Sequence, residues 1–303
     1  MRFAHYCFSI CFLLFSPTTS AQKFWQLKYD LNKLASLSNA EVGIAVIINS
    51  KDTIVINNQT EYPLMSVFKL HQSLAIAHTL EQQQISLDTL LSINRSELRK
   101  DTYSPLRDKY SKDYFSITIK ELLRYTLLLS DNNACDILFH RILGTRETKA
   151  FIQTLTNAPF DIIATEEEMH RDTQLCYKNW SSPLAAVQLL EELLYNKAIG
   201  ETYQSFIINT MIQCKTGRNR IPAFNCPKGT IIGHKTGTSD KNTHGEIIGV
   251  NDIGFVILPD GQHYTLAIFI KDSKETLSKS EQIISTASQL VYTHISNKIT
   301  SNP

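Results

Sequence analysis

The sequence predicts an α/β plus all-α fold, built around one antiparallel sheet to which both ends of the chain contribute strands. Three observations predict it: runs of β-branched residues lie within 42–56, the pattern is helical over 63–211, and strand patterns return within 230–270. Strands at both ends with helices between them indicate a helical lobe inserted into an α/β lobe made of 22–62 and 212–303, with helices flanking the sheet.

The first 21 residues have the composition of a secretory signal peptide. Arg2 precedes an apolar stretch from Tyr6 to Phe15, and small residues lead to Ala21, after which we expect cleavage. The stretch is shorter than the roughly 20 residues of a membrane-spanning helix, and Cys11 is not preceded by the small residue expected beside a lipidated cysteine. We therefore expect export to the periplasm without stable membrane association, as against a membrane anchor or a lipid site.

The elements after this leader begin with a helix and a hairpin. Residues 24–37 have the apolar spacing of an amphipathic helix. The runs 42–48 and 53–56 are rich in β-branched residues and are separated by a short polar turn, 49–52, which predicts two paired strands.

The middle of the chain shows helical spacing, and its last part alternates strands with a final helix. Apolar residues recur at helical spacing at Leu70, Leu74, Ala77 and Leu80, and again at Ile119, Leu122, Leu123 and Leu127. Strands are predicted at 230–235, 247–258 and 264–270, and a closing helix at 275–292. A cleft between the two lobes would be the natural position for a site.

Composition limits the partners of this chain of 303 residues. Its 30 basic and 29 acidic residues give a formal net charge of +1, and the sequence has no long basic run. Nucleic acid is therefore a poor candidate partner. Because no Cys-x-x-Cys or His-Glu-x-x-His spacing occurs, we expect neither a metal ion nor another cofactor.

Removal of the leader would leave four cysteines in an oxidising compartment: Cys135, Cys176, Cys214 and Cys226. Four cysteines allow three full pairings, and the sequence does not choose among them. Cys135 lies in an apolar helical run, which is typical of a buried free thiol. The pair worth testing is Cys214 with Cys226.

Ser66 and Lys69, in the string Ser66-Val67-Phe68-Lys69, lie three residues apart at the start of a predicted helix. Both side chains therefore lie on one face and can bond to each other. A serine hydroxyl needs a neighbour that takes its proton, and an amine can do so if burial or a nearby cation lowers its pKa. We expect a nucleophile with its base, and Lys235 as that cation. The helix N-terminus also offers the Ser66 N–H to a developing oxyanion.

Two further strings follow in order, Ser130-Asp131-Asn132 and Lys235-Thr236-Gly237. Lys235 and Thr236 offer donors for a carboxylate, and Gly237 allows a substrate to approach the backbone closely. Asp131 is expected to hold its loop. Each string alone is common, but the ordered trio arises by chance in roughly one chain in a thousand. Together the strings predict a serine acyl-transfer site.

The trio is the signature of class A β-lactamases and penicillin-binding proteins, and nearly the whole chain after the leader resembles a class A serine β-lactamase. The resemblance implies the β-lactamase/transpeptidase-like fold, a monomer, and hydrolysis of small-molecule β-lactams through an acyl-enzyme, which confers antibiotic resistance. It also implies that Ser130 relays a proton to the leaving nitrogen, that Asn132 binds the substrate amide, and that Thr238 supplies the second oxyanion N–H.

Hydrolysis of an acyl-enzyme requires a base that activates water, and the resemblance places this base on an Ω-loop. Alignment by distance from the other strings puts it at Glu166, with Glu167 and Glu168 as alternatives. Whether Glu166 or Lys69 takes the proton during acylation stays open. The segment shows little helical or strand periodicity, so we expect it to be irregular.

This segment departs from the commoner family pattern. His170 stands where the family usually has an asparagine that helps to hold the water, so we include it among the substrate-site residues, and Glu167 replaces a proline. The chain resembles the extended-spectrum subgroup that includes the VEB, PER and CfxA types at Glu166, Met169, His170, Asp136 and Asn179-Trp180.

The loop also lacks a common ion pair. In common class A enzymes an arginine and an aspartate close the Ω-loop, but Ala164 and Asn179 occupy those places here. We expect other contacts to hold the loop and a wider gap beside Thr238 and Ser239. Such a gap would admit the bulky oxyimino side chains of later cephalosporins.

Two residues are further candidates for binding substrate. Arg220 is a candidate cation for the substrate carboxylate, as against an exposed arginine, and Tyr103 is a candidate wall of the cleft, as against a surface or core tyrosine. Two other functions are alternatives. A penicillin-binding DD-peptidase or transpeptidase lacks the Ω-loop base, and a non-hydrolytic β-lactam sensor should carry a transmembrane segment.

Overall fold

The computed structural model describes residues 20–196 and 198–296. Residues 1–19 of the expected signal peptide lie outside the described residues, so its cleavage stays a prediction. Among the helices of the described residues, none is both long and apolar enough to cross a bilayer.

Ten strands are described: β1 (Glu41–Ile48), β2 (Asp52–Ile56), β3 (Tyr62–Pro63), β4 (Leu90–Asn94), β5 (Tyr114–Thr118), β6 (Phe160–Asp161), β7 (Trp180–Ser181), β8 (Ile231–Thr238), β9 (Ile247–Ile257) and β10 (His263–Ser273). Ten α-helices are described: α1 (Ser20–Ser36), α2 (Phe68–Gln82), α3 (Pro105–Lys109), α4 (Ile119–Leu128), α5 (Asn132–Arg141), α6 (Thr145–Ile152), α7 (Glu166–Arg171), α8 (Pro183–Tyr195), α9 (Glu201–Ile212) and α10 (Leu277–Ser296).

The main sheet has five strands in the order β2-β1-β10-β9-β8, and every neighbouring pair is antiparallel. Both ends of the chain thus contribute strands to one antiparallel sheet, as the sequence predicts, and the first strand pairs with the last. The predicted hairpin of β1 and β2 turns at Asn49 and Ser50, whose φ values of 51° and 52° are typical of a type I′ turn.

The sheet is covered on both faces. Successive side chains of a strand point to opposite faces, so Ile44, Val46 and Ile48 of β1 pack in the core cluster of α1 and α10, while Ala45 and Ile47 pack against the helices of the other layer. Burial on both faces explains why these strands are almost continuously apolar and show little alternation in sequence.

Helix α2 lies in the middle of the helical layer and is buried on nearly all sides. Phe68 stacks on Phe139 of α5 with ring centroids 5.8 Å apart, and Leu70 and Leu74 lie in the same core. A helix that is apolar around most of its circumference is typical of a protein core. The segment that begins just before α2 is therefore fixed on a rigid support.

The predicted helical lobe also contains short strands. The strands β3, β7 and β6 form one small sheet, and β4 pairs with β5. Strands of two residues carry no readable period, which explains why the sequence does not reveal β3, β6 and β7. The sequence analysis also misses β4 and β5, which are five residues long and mostly exposed or half-buried. The division into lobes at 62 and 212 stays a prediction.

The packing of α10 on the sheet makes a prediction about stability. Ile284 is fully buried, whereas Leu277 at the start of the same helix is 42% exposed. We expect Ile284→Ala to lower the free energy of unfolding by about 2–5 kcal/mol, and Leu277→Ala to change it by less than about 0.5 kcal/mol. Urea unfolding followed by circular dichroism measures both. Equal losses in the two variants would contradict this account of the core.

Candidate active site

Ser66 lies in a single 3-10 turn, Met65–Val67, that leads directly into α2. The backbone before it is clamped, because the Asn251 side chain donates to the carbonyls of Pro63 and Leu64 at 2.7 and 3.1 Å. Met65 has a φ of 46°, a left-handed conformation that costs free energy in a non-glycine residue. These features fix the position of the Ser66 N–H.

Lys69 is wholly buried one turn after Ser66. Its Nζ donates to Ser66 Oγ at 2.7 Å and to Asn132 Oδ1 at 2.9 Å, and it forms an ion pair with Glu166. Burial opposes the charge, but the raising contributions, Glu166 first among them, together outweigh burial and raise the pKa of Lys69 above its ordinary value. The expectation of a lowered pKa for Lys69 is therefore wrong.

The three consecutive glutamates have different partners at the start of α7. The Thr165 side chain accepts from the Glu168 N–H at 3.2 Å, and Glu168 Oε2 accepts from the Thr165 N–H at 2.8 Å. Glu167 forms an ion pair with Arg171. The segment that we expected to be irregular is thus a short capped helix, which leaves Glu166 to face the nucleophile.

Glu166 Oε1 lies 3.4 Å from Ser66 Oγ. The Glu166 backbone N–H donates to Asp136 Oδ1 of α5 at 2.9 Å, which fixes the start of α7. Burial, followed by the charge on Glu166, raises the pKa of Asp136 to about 7. The sequence identifies Asp136 through the subgroup resemblance alone and does not reveal this contact.

The Ser130-Asp131-Asn132 string forms the entry to α5. Asp131 is buried, caps the helix by accepting from the Ala134 N–H at 2.8 Å, and accepts from the Leu106 N–H at 2.6 Å, so it holds the loop as expected. Asn132 Oδ1 accepts from Lys69, and its Nδ2 donates to Thr102 Oγ1 at 2.9 Å. The amide is therefore fixed in orientation.

Lys235 is the second wholly buried lysine of the site and lies on β8. Its Nζ donates to Ser130 Oγ at 3.0 Å and to the Thr236 carbonyl at 2.8 Å. Burial, followed by the charge on Lys69, lowers the pKa of Lys235 to about 7. Of the two buried lysines, Lys235 is therefore the one whose pKa is lowered.

Gly237 allows β8 to pack against the turn that carries Ser66. A Cβ at this position would lie 2.6 Å from the Leu64 carbonyl oxygen and 3.2 Å from the Ser66 nitrogen. We expected the glycine to make room for a substrate. The structure adds a second reason for the glycine, because the protein's own backbone fills the space of a Cβ; the approach of a substrate stays a prediction.

Arg220 lies behind β8 and is buried. Its guanidinium donates to the Gly237 carbonyl at 3.1 Å and to Thr238 Oγ1 at 2.7 Å, and it pairs with Glu281 at 3.2 Å. Arg220 therefore orients Thr238, and its contact with a substrate carboxylate stays a prediction. The next residue, Ser239, accepts through its Oγ from the Gly249 N–H at 2.8 Å.

Tyr103 and His170 lie at the rim. Tyr103 is 58% exposed, and its carbonyl accepts from the Asn132 N–H at 3.1 Å. The exposed ring of His170 bonds to Asp101 at 3.0 Å. Within the described part of the chain, neither side chain bonds to Ser66 or Glu166, and their contact with substrate stays a prediction.

Asn179 holds the loop that carries Glu166. Its Oδ1 accepts from the N–H groups of Ile163 and Ala164 at 2.8 and 2.9 Å, and its Nδ2 donates to the Ala164 carbonyl at 2.8 Å. Its own carbonyl accepts from the Leu64 N–H at 2.8 Å. A neutral amide thus takes the place of the ion pair and ties the loop to the Ser66 turn.

Asn251 is a residue of the site whose role the sequence does not reveal. The clamping role of Asn251 has one signal in the sequence, which is a polar residue within the apolar run 247–258. A polar residue in an apolar run does not reveal that the carbonyls of Pro63 and Leu64 are its hydrogen-bond partners.

All four described cysteines are free thiols. The pairing of Cys214 with Cys226 is not formed. Cys214 instead contacts Thr216 Oγ1 at 3.4 Å. Among the described residues no group of three or more histidine, cysteine, aspartate or glutamate side chains is arranged for a metal ion. Absence of a cofactor stays a prediction.

Comparisons with known proteins agree with this geometry. A profile described as the β-lactamase enzyme family matches residues 26–295. A β-lactamase of Phocaeicola vulgatus is 42% identical over 86% of this chain and 82% of its own length. The extended-spectrum β-lactamase PER-1 of Pseudomonas aeruginosa is 33% identical over 88% of this chain and 86% of its own length.

The fold is also that of a solved structure. The crystal structure of a representative class A β-lactamase from Bacteroides cellulosilyticus superposes with a TM-score of 0.84 at 36% identity. The match covers 91% of this chain and 99% of that chain. The expected fold class is confirmed.

Removal of the Asn179 amide should loosen the loop. We expect Asn179→Ala to lower the free energy of unfolding by roughly 2–5 kcal/mol, because one buried N–H, one partly buried N–H and one carbonyl lose their partner. Asn157→Ala, at an exposed asparagine, is the matched control and should change it by less than about 0.5 kcal/mol. Urea unfolding compares the variants, and an unchanged midpoint in Asn179→Ala would contradict this role.

Proposed function

The chain belongs to the β-lactamase enzyme family and is a class A β-lactamase, and from this premise we propose that it opens the β-lactam amide through an acyl-enzyme on Ser66. The observation that carries the proposal is the bonded group of Ser66 Oγ, Lys69 Nζ and Glu166 Oε1. In this group Ser66 is the nucleophile, Lys69 is the cation and Glu166 is the carboxylate base, and all three are within bonding distance in a partly buried site.

Acylation begins with attack of Ser66 Oγ on the β-lactam carbonyl carbon, which forms a tetrahedral oxyanion; when this intermediate collapses, the C–N bond breaks and the Ser66 ester remains. The Ser66 proton must leave at the same time. Because the pKa of Lys69 is raised, this lysine is protonated in the free enzyme. The contact between Ser66 Oγ and Glu166 Oε1 therefore favours the Glu166 carboxylate as the acceptor.

The oxyanion is stabilised by two backbone donors. Ser66 supplies one N–H from the clamped turn, and Thr238 supplies the other from the end of β8. The close approach of β8 to the turn at Gly237 supports this pairing, since it brings the two donors to one side of the nucleophile.

The leaving nitrogen receives its proton from Ser130. Lys235 donates to Ser130 Oγ, so the hydroxyl can pass a proton to the nitrogen while the ammonium supports it. The substrate carboxylate binds to Lys235 and Thr236, and this added negative charge raises the pKa of Lys235 and keeps it protonated. Asn132, held by Lys69 and Thr102, binds the side-chain amide of the substrate.

Glu166 then activates the water that hydrolyses the ester. The cap of Thr165 and Glu168 and the bond to Asp136 fix its backbone opposite Ser66. A DD-peptidase lacks such a base, so the position of Glu166 favours hydrolysis over peptide transfer. We expect a periplasmic monomer that needs no cofactor.

The substrate range includes oxyimino-cephalosporins. Asn179 replaces one member of the ion pair that closes the loop in common class A enzymes, and the loop is held by an amide. The relative PER-1 is named an extended-spectrum β-lactamase. Both observations support a wider gap between this loop and Thr238.

The two catalytic steps can be separated by a pair of variants. Ser66→Ala should form no adduct with penicillin, because the attacking oxygen is gone. Glu166→Ala should accumulate the acyl-enzyme and turn over about 10²–10⁴-fold more slowly, the usual contribution of a positioned general base. Intact-mass spectrometry and stopped-flow kinetics measure both. Glu168→Ala is the control, and a larger loss of turnover there than in Glu166→Ala would refute the assignment.

The substrate range is tested by one comparison. We expect kcat/KM for cefotaxime to be comparable to that for benzylpenicillin, since the gap accommodates the oxyimino group. Both values are measured under one condition with purified protein. A cefotaxime value lower by about a thousandfold, which is roughly 4 kcal/mol of lost transition-state binding, would mean that the cleft is narrow.

A further inference from the structure

We propose that the side chains of Tyr177, Asn242 and Asp272 form a clasp that sets the width of the gap beside Thr238, and that the clasp thereby favours substrates with an oxyimino side chain. This inference deepens the proposed function, because it rests on the role proposed for that gap. The three residues have a positioning role, in which they hold the two sides of the gap at a fixed separation.

The clasp joins three separate parts of the chain. The Tyr177 hydroxyl, two residues before Asn179 in the Ω-loop, donates to Asp272 Oδ1 of β10 at 2.5 Å. The Asn242 side chain, in the connection between β8 and β9, donates through Nδ2 to the Tyr177 hydroxyl and to Asp272 Oδ1, both at 3.3 Å. All three residues are half-buried. The Ω-loop and the β8–β9 connection, which border the proposed gap, are thus tied to each other and to the sheet.

Asn242 also organises the tip of the β8–β9 connection. Its Oδ1 accepts from the N–H groups of His244 and Glu246 at 2.9 and 3.0 Å. Its backbone N–H donates to the Glu246 carbonyl at 2.8 Å, and its Nδ2 donates to Glu246 Oε2 at 3.1 Å. Asn242 follows Thr238 by four residues. A shift of this tip is therefore transmitted to the end of β8 over a short stretch of backbone.

The backbone of Asp272 is strained where its carboxylate enters the clasp. Its φ is 48°, although it lies within β10. The register of β9 and β10 passes over it, with Lys271 opposite Gly249 and Ser273 opposite Ile247. A left-handed conformation costs free energy in a non-glycine residue, and it persists where surrounding contacts over-determine it. The two hydrogen bonds that the Asp272 carboxylate accepts are such contacts.

The bond between Tyr177 and Asp272 is of a strong type. A hydrogen bond from a hydroxyl to a carboxylate is charge-assisted and stronger than one between neutral groups. Burial, followed by the bond to Asp272, raises the pKa of Tyr177 to about 12, so the hydroxyl keeps its proton and remains a donor at neutral pH. At the same edge Lys274 pairs with Glu246 at 3.5 Å. The clasp is therefore suited to hold its segments against each other.

The clasp bears on substrate selection because each side of the gap has its own anchor. Asn179 fixes the Ω-loop to the turn of the nucleophile, and the ladder with β9 fixes β8 as far as Thr238. The bonds of Tyr177 with Asn242 and Asp272 connect the two anchored segments. An oxyimino side chain that enters the gap contacts both segments at once, whereas benzylpenicillin carries no such group. Release of the clasp should therefore weaken binding of the oxyimino class more strongly.

Tyr177→Phe removes the hydroxyl and keeps the ring. We expect it to lower kcat/KM for cefotaxime by about tenfold through KM, while kcat, and kcat/KM for benzylpenicillin, change by less than about threefold. Asp272→Ala should cause the same loss and gives the answer if Tyr177→Phe does not fold. The double variant should lose no more than either single variant, since the two residues act through one bond.

Two further variants serve as controls. Asp272→Asn keeps an acceptor at Oδ1, where both hydrogen bonds end, and asparagine tolerates the left-handed conformation. We therefore expect it to keep the preference of the unaltered protein. Tyr29→Phe makes the same chemical change as Tyr177→Phe at an exposed tyrosine on α1 and should change neither substrate's kcat/KM. Steady-state kinetics with purified protein measure all variants.

Hydrogen–deuterium exchange followed by mass spectrometry tests the clasp without turnover. Peptides that cover 240–246 should exchange at least about tenfold faster in Tyr177→Phe and Asp272→Ala than in the unaltered protein. Unchanged exchange would overturn the clasp. Equal losses for the two substrates, no loss for cefotaxime, or a gain would overturn its role in selection. If the unaltered protein does not hydrolyse cefotaxime, the proposed substrate range fails, and the exchange data still decide whether the clasp holds the connection.

Discussion

The side chains of Lys69 and Lys235 are both wholly buried in the site, and the arrangement of the site depends on how their charges are stabilised. A buried charge is costly unless it is paired and fully bonded. Lys69 is bonded by Ser66, Asn132 and the Glu166 carboxylate. Lys235 has a hydroxyl and a carbonyl as its hydrogen-bond partners. The free site is therefore electrostatically incomplete at Lys235, and the substrate carboxylate that we propose to bind there would supply the missing negative charge.

The opposite pKa shifts of the two lysines also indicate different roles for them. Lys69 keeps its proton because a carboxylate is beside it, so it orients Ser66 and stabilises charge. Lys235 has a lowered pKa in the free site, and the proposed substrate carboxylate would raise it. The same type of side chain, equally buried, behaves in two ways because one has a permanent anionic partner.

The local parts of this arrangement could be predicted from the sequence, and the distant parts could not. The spacing of Ser66 and Lys69 reveals a shared face, and Asp131 reads as a cap, because both depend on neighbours in the chain. The pKa of Lys69 depends on a carboxylate 97 residues away. The burial of Arg220 depends on Glu281, 61 residues away. Such partners become visible when strands and helices are placed together.

The amide of Asn179 has a consequence for the conditions under which the enzyme keeps its shape. A loop closed by an ion pair loosens when acid neutralises its carboxylate, and dissolved ions weaken such a pair wherever water reaches it. The bonds of Asn179 join an uncharged amide to backbone groups, so neither acidity nor ionic strength alters them. The three bonds by which Asn179 closes the loop are thus insulated from changes in the external medium.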